Sequence, residues 1–135
     1  MNLFRIAVPF VMFAGLSLNA AAQSSKPAAN DAGKIVYESN CLPCHQIDGS
    51  GVPQLNPPLI NTDYVKGDKT RLINVVLKGL QGAEVEGEPY DNPMPAFDFL
   101  TDDEVASVLT YIRSNFTNKA SAIKKEEVAK VRSTK

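Results

Sequence analysis

The chain has 135 residues, the size of one domain, and a formal charge of −1. That near-neutral total hides an acidic body, with six Lys and Arg against 13 Asp and Glu between Asn30 and Phe116 (net −7), and a basic tail, with six against two after Phe116 (net +4). An acidic body argues against a nucleic-acid partner and for one with a basic docking face, and two cysteines with one histidine fall short of the four ligands of a structural zinc site.

Residues 1–22 read as a signal peptide. Arg5 supplies the positive start, Ile6 to Leu18 carries no charge, and Ala20-Ala21-Ala22 gives the small-residue cleavage pattern before Gln23. The apolar run, with Pro9 and Asn19, is short for a spanning helix, and no later stretch looks transmembrane. This predicts export to the periplasm. The expected mature chain of 113 residues is small enough that a large apolar ligand in its middle would add much to stability. Gln23 to Ala29, rich in Ser, Ala and Pro, reads as a flexible leader.

A helix is expected from Asn30 or Asp31, either of which can cap it. Ala29, Gly33, Val36, Tyr37 and Cys41 fall on one face and carry the chain into Cys41-Leu42-Pro43-Cys44-His45. Cys-x-x-Cys-His is the attachment signature of c-type haem. Two intervening residues turn both thiols towards one edge of a porphyrin, and the adjacent histidine is carried beneath the ring, where its neutral imidazole can ligate iron. Other uses of the pentapeptide fit less well. A thiol–disulfide centre wants a thioredoxin-like strand–helix setting that the chain lacks, and a plain disulfide would leave His45 a coincidence. Export agrees with haem, because bacteria attach it outside the cytoplasmic membrane.

Asp48-Gly49-Ser50-Gly51 is a turn cluster, and Asn56-Pro57-Pro58-Leu59 is stiff. A ligating histidine donates its second ring N–H to a fixed acceptor, and the Pro58 carbonyl is the candidate. A short buried helix is expected over Arg71 to Lys78, closed by Gly79. Leu80 to Asp98 reads as a loop, long enough in a small domain to be functional. It holds Met94, the only methionine left after signal cleavage, between Pro93 and Pro95. With no second histidine in the chain, its thioether is the candidate for the other axial ligand, and His/Met ligation raises the reduction potential. Thr101 to Glu104 matches a capping box, followed by an apolar stripe of Val105, Val108, Leu109, Ile112 and Phe116. The basic tail, 117–135, has few large apolar residues and is expected to be disordered or a frayed helix.

Taken together, Cys41 to His45, Met94-Pro95 in a late loop, Gly33 and Tyr37 on the first helix and Leu109 to Phe116 on the last resemble a class I cytochrome c over about Asn30 to Phe116. Gly79 to Phe97 is similar to bacterial monohaem cytochromes and to the haem subunits of periplasmic dehydrogenases and oxidases. The resemblance implies an all-α fold of three main helices around one covalently bound haem, the first and last crossing near Gly33, with electron transfer at the exposed edge beside the thioethers. Two features depart from it: Asn56-Pro57 stands where a glycine is expected before Pro58, and the tail is longer than a minimal carrier needs. The expected function is one-electron transfer between redox partners (a dehydrogenase, oxidase or reductase), as a free carrier or as a subunit of such a complex, with no catalytic acid, base or nucleophile. A haem peroxidase or gas sensor would need an open distal position and a distal acid–base group, and no spare histidine exists for it.

Overall fold

The computed structural model describes residues 29–82 and 84–134; the signal-peptide segment and residues 23–28 of the leader lie outside the described residues. The order of elements is α1 (Ala29–Asn40), α2 (Leu42–His45), α3 (Asp63–Lys66), α4 (Lys69–Lys78), β1 (Glu84–Val85), β2 (Glu88–Pro89), α5 (Asp102–Ser114) and α6 (Lys125–Ser133). The fold is all-α, with the single small hairpin β1–β2 inside the long loop. Glu86 and Gly87, at φ of 53° and 83°, make its two-residue turn, the left-handed pair that matches strand twist.

The frame is the crossing of α1 over α5. Gly33 makes it possible: a Cβ there would lie 2.2 Å from the Ser107 carbonyl oxygen and 2.7 Å from Tyr111 Cβ. Beside the crossing, the Tyr37 ring sits 5.5 Å from Tyr111 and 5.2 Å from Phe116, centroid to centroid, within the range of favourable aromatic pairs. Helix α5 starts as its sequence demands, with Thr101 and Glu104 closing a reciprocal cap, and it buries Val105, Val108, Leu109 and Ile112. Helix α4 starts on Asp68, whose carboxylate accepts from the Arg71 amide at 2.6 Å, and stops at Gly79, φ 77°.

The tail differs from the expected frayed segment. Residues 125–133 form α6, laid across α4 and α5, and Ile123, Val128 and Val131 are buried in the main core. Spaced five and three residues apart, these three make a narrow apolar strip that suffices because charges flank it. Glu127 takes the Lys124 amide at 2.7 Å and the Lys69 ammonium at 3.0 Å. Lys125 and Arg132 reach Asp103 and Asp102 at 2.6 and 2.7 Å. The basic tail thus answers acidic residues at the start of α5, so part of the charge asymmetry is consumed inside the molecule.

Candidate functional site

Cys41 ends the hydrogen-bonding of α1, its amide donating to the Tyr37 carbonyl at 2.8 Å, and its own carbonyl receives the amides of Cys44 (3.2 Å) and His45 (2.9 Å). This single helical turn sets Cys41 and Cys44 on one side, and both border one cleft without pairing with each other. Burial, then the neighbouring Cys44, pushes the Cys41 thiol up to about 11. A thiol–disulfide centre depends on a lowered thiol pKa, so the environment runs against that use.

His45 is buried. Burial holds its pKa below the ordinary imidazole value, opposed in part by its hydrogen bond to the Pro57 carbonyl. A carbonyl only accepts, so the 3.0 Å contact assigns the proton to Nδ1 and leaves the Nε2 lone pair for a ligand. The acceptor is Pro57, one residue before the expected Pro58. The reason lies in the turn that precedes it: Val52 donates to the Asn56 carbonyl at 2.9 Å and accepts from the Asn56 amide at 2.8 Å, closing the chain so that Pro57 is the first carbonyl aimed at the ring. Gly51, at φ 67°, lets this turn close, since a Cβ there would stand 2.3 Å from the Asn56 oxygen and 2.6 Å from that of Pro57. Pro58 forms cavity wall instead.

Met94 is half-buried and held by a two-bond bridge to Leu80, with Leu80 N to Met94 O at 3.0 Å and Met94 N to Leu80 O at 2.8 Å. Its loop is tied across the cleft to the loop after His45: Asp91 and Asn92 amides donate to the Gln54 and Leu55 carbonyls at 3.1 and 3.2 Å, and the Asn92 amide group donates to Asn56 Oδ1 at 3.2 Å. Asn118 adds a second tie. Buried at the start of the tail, it accepts from the Asn61 amide at 2.8 Å and donates to the Leu59 and Ile112 carbonyls at 2.9 and 2.8 Å, fixing cavity wall to α5. Neither tie follows from residue type, because each joins segments more than 30 residues apart in the chain.

Between these parts lie two adjoining spaces with Cys41, His45, Pro57, Leu80, Met94 and Phe97 in both walls. The rest of the larger wall is chiefly aliphatic, including Leu72, Val76, Leu109 and Ile112. Among the described residues no three His, Cys, Asp or Glu gather as a bare-metal site. The donor set is instead one imidazole, one thioether and two thiols around an apolar slot. Such a set suits an iron that brings its own equatorial nitrogens, so the residues present fit a covalently bound haem. Among the described residues no helix is long and apolar enough to cross a membrane.

Comparison with known proteins agrees with this geometry. Residues 30–116 match the cytochrome c family. Cytochrome c-552 of Thermus thermophilus is 35% identical over 141 positions, covering 97% of this chain and 88% of that protein. The cytochrome c subunit of a quinone alcohol dehydrogenase from Gluconobacter oxydans is 34% identical over 113 positions, 82% of this chain, and that of gluconate 2-dehydrogenase from Pantoea cypripedii 38% over 104 positions, 74% of this chain. The chain spans only 24% of the length of each of these two subunits.

Proposed function

We propose, for a chain that belongs to the cytochrome c family and is therefore an electron-transfer protein carrying haem c, that it is a periplasmic carrier with one haem. In this reading Cys41 and Cys44 would hold the haem through thioethers, and His45 and Met94 would supply the two protein ligands to its iron. The observation that carries it is the shared wall: His45, its Nδ1 already committed to Pro57, and Met94, pinned to Leu80, border the same apolar slot as Cys41. When bound, the haem supplies a reversible one-electron centre, and His/Met ligation raises its potential.

The chain's own residues hold and tune. The Pro57 carbonyl keeps the imidazole in one tautomer and one orientation. Pro93 and Pro95 limit the backbone beside Met94, so the thioether is presented with little motion. Aliphatic walls keep water out of the slot, which together with ligand identity is the protein's means of setting a potential. No proton has to be moved by a side chain. The cleavable leader would deliver the chain to the periplasm, with a dehydrogenase, oxidase or reductase as partner.

The dehydrogenase relatives support a second reading, in which the same domain serves as a subunit of such a complex. Ferric spectra test the ligand set. Wild-type protein is expected to have a far-red sulfur-to-iron band, and Met94→Ala to lose it, admit added ligands and fall in potential. An unchanged spectrum and potential in Met94→Ala would overturn the assignment.

A further inference from the structure

We propose that Arg113 is a potential-setting residue, its buried guanidinium caged by neutral carbonyls behind the cavity wall and sealed there by the tail. This rests on the proposed haem function and adds to it a residue and a role for the segment after Phe116. Arg113 lies in the last turn of α5 with 3% of its surface exposed. Its Nη1 donates to the Val65 carbonyl and, at 3.4 Å, to that of Gly67; Nε donates to the Ser121 carbonyl at 2.7 Å and Nη2 to Ser121 Oγ at 3.5 Å. Every acceptor is uncharged. Arg113 takes part in none of the ion pairs among the described residues, and the attraction of Glu127 offsets its burial only in part.

A guanidinium does not deprotonate in a protein, so this position holds a permanent positive charge with little compensation. It stands close to the slot. Val65 and Ile112 both form cavity wall; Arg113 bonds the carbonyl of the first and follows the second in the chain. Across an interior of low effective dielectric such a charge acts far more strongly than at the surface, and salt screens it less. Each transfer takes one electron from a donor protein and later gives it to an acceptor, so the oxidised site carries one more positive charge than the reduced one. Arg113 repels that extra charge and raises the potential without moving a proton. The tail keeps the charge dry: Ser121 supplies two of the acceptors, the Ala120 amide closes on the Arg113 carbonyl at 3.0 Å, and the backbone of buried Ile123 is bonded to the Thr110 hydroxyl one turn earlier in α5.

Redox titration of the haem-loaded protein tests this. Arg113→Gln is expected to move the ferrous-to-ferric ratio at fixed applied potential about tenfold towards ferric, about 59 mV for one electron, with the far-red band retained and the shift persisting in high salt. Arg113→Lys, which keeps the charge, should move it far less. Ser121→Asp leaves the guanidinium in place but sets a carboxylate beside it, and should lower the potential, whereas Ser121→Asn should not. A wild-type potential in Arg113→Gln, equal shifts in the Gln and Lys variants, or equal potentials in the two Ser121 variants would overturn the proposal. The Ser121 pair decides if the Arg113 variants do not fold. A wild-type protein with no haem-centred redox couple would instead overturn the proposed function.

Discussion

Helix α4 has two sides that are built by different rules. Its inner side, with Leu72, Val75 and Val76, is apolar wall of the slot, and its neighbours there are fixed by proline and by backbone carbonyls. Its outer side, with Lys69 and Ile73, meets α6 through a thin apolar strip and the Lys69–Glu127 ion pair. The difference teaches where a small redox protein places its charge. Side-chain ions are gathered on the outer side, where they pair and meet water, while the inner side uses neutral dipoles whose positions do not depend on pH or salt. Arg113 is the exception, a charge carried inward.

Removing the outer partner tests the comparison most severely. Truncation after Thr117 strips Ile123, Val128 and Val131 from the core and removes Asn118, which ties the cavity-wall residue Leu59 to α5. At roughly 1.5–3 kcal/mol for each buried aliphatic side chain, the loss is about 5–9 kcal/mol, a large part of the stability of a small domain. We expect a sharply lower melting temperature and poor recovery of haem-loaded protein; a truncated protein that melts like the full chain would show that the two sides are independent.

A smaller change tests the inner side. Gly51→Ala forces a Cβ into the Asn56 and Pro57 carbonyls at a left-handed position. Overpacking of this kind costs about 1–3 kcal/mol, and it should displace the Pro57 oxygen from His45. The expected readout is an altered potential and ferric spectrum along with lower stability, whereas lower stability with an unchanged haem spectrum would show that Pro57 does not orient the ring.

Acid should separate the sides further. The Lys124 amide and the Lys69 ammonium hold the Glu127 carboxyl below its usual range, and the Thr101 amide and hydroxyl do the same for Glu104. Because the folded-state pKa values are depressed, this stabilisation is present above the ordinary Glu value of about 4.3 and is lost as pH falls through the folded values. Helix α6 is therefore expected to loosen in acid, seen as thermal melts that fall below pH 4.3. Glu127→Gln should flatten part of that fall, and a slope identical to wild type would contradict the linkage. The smallest effect is expected at the exposed Lys125–Asp103 pair. Such pairs contribute little and are screened by salt, so Lys125→Ala should change the melt slightly at low salt and not at high salt.

Much of the inner side was legible because its signals are local. Residue type and spacing singled out Cys41 to His45 and Met94, which the structure brings to one cleft, Thr101 and Glu104 announce a helix start, and the crossing implied near Gly33 is where Ser107 and Tyr111 come closest. The acceptor for His45 was missed by one residue because two successive prolines differ only in where the turn before them closes. The outer side was harder. Ile123, Val128 and Val131 are too sparse to signal a core helix by periodicity, and the ion-pair partners that fix α6 to α4 and α5 lie 22 to 58 residues away in the chain. Arg113 carries no local signal of its role, because nothing in the neighbouring sequence names the Val65 and Gly67 carbonyls that help enclose it.

The mass of the cysteine-bearing peptide from matured, purified protein tests the central claim most directly. A peptide spanning Cys41 to His45 with one haem added across both sulfurs is the predicted result. The same peptide with two unmodified thiols, from colourless protein, would contradict the account.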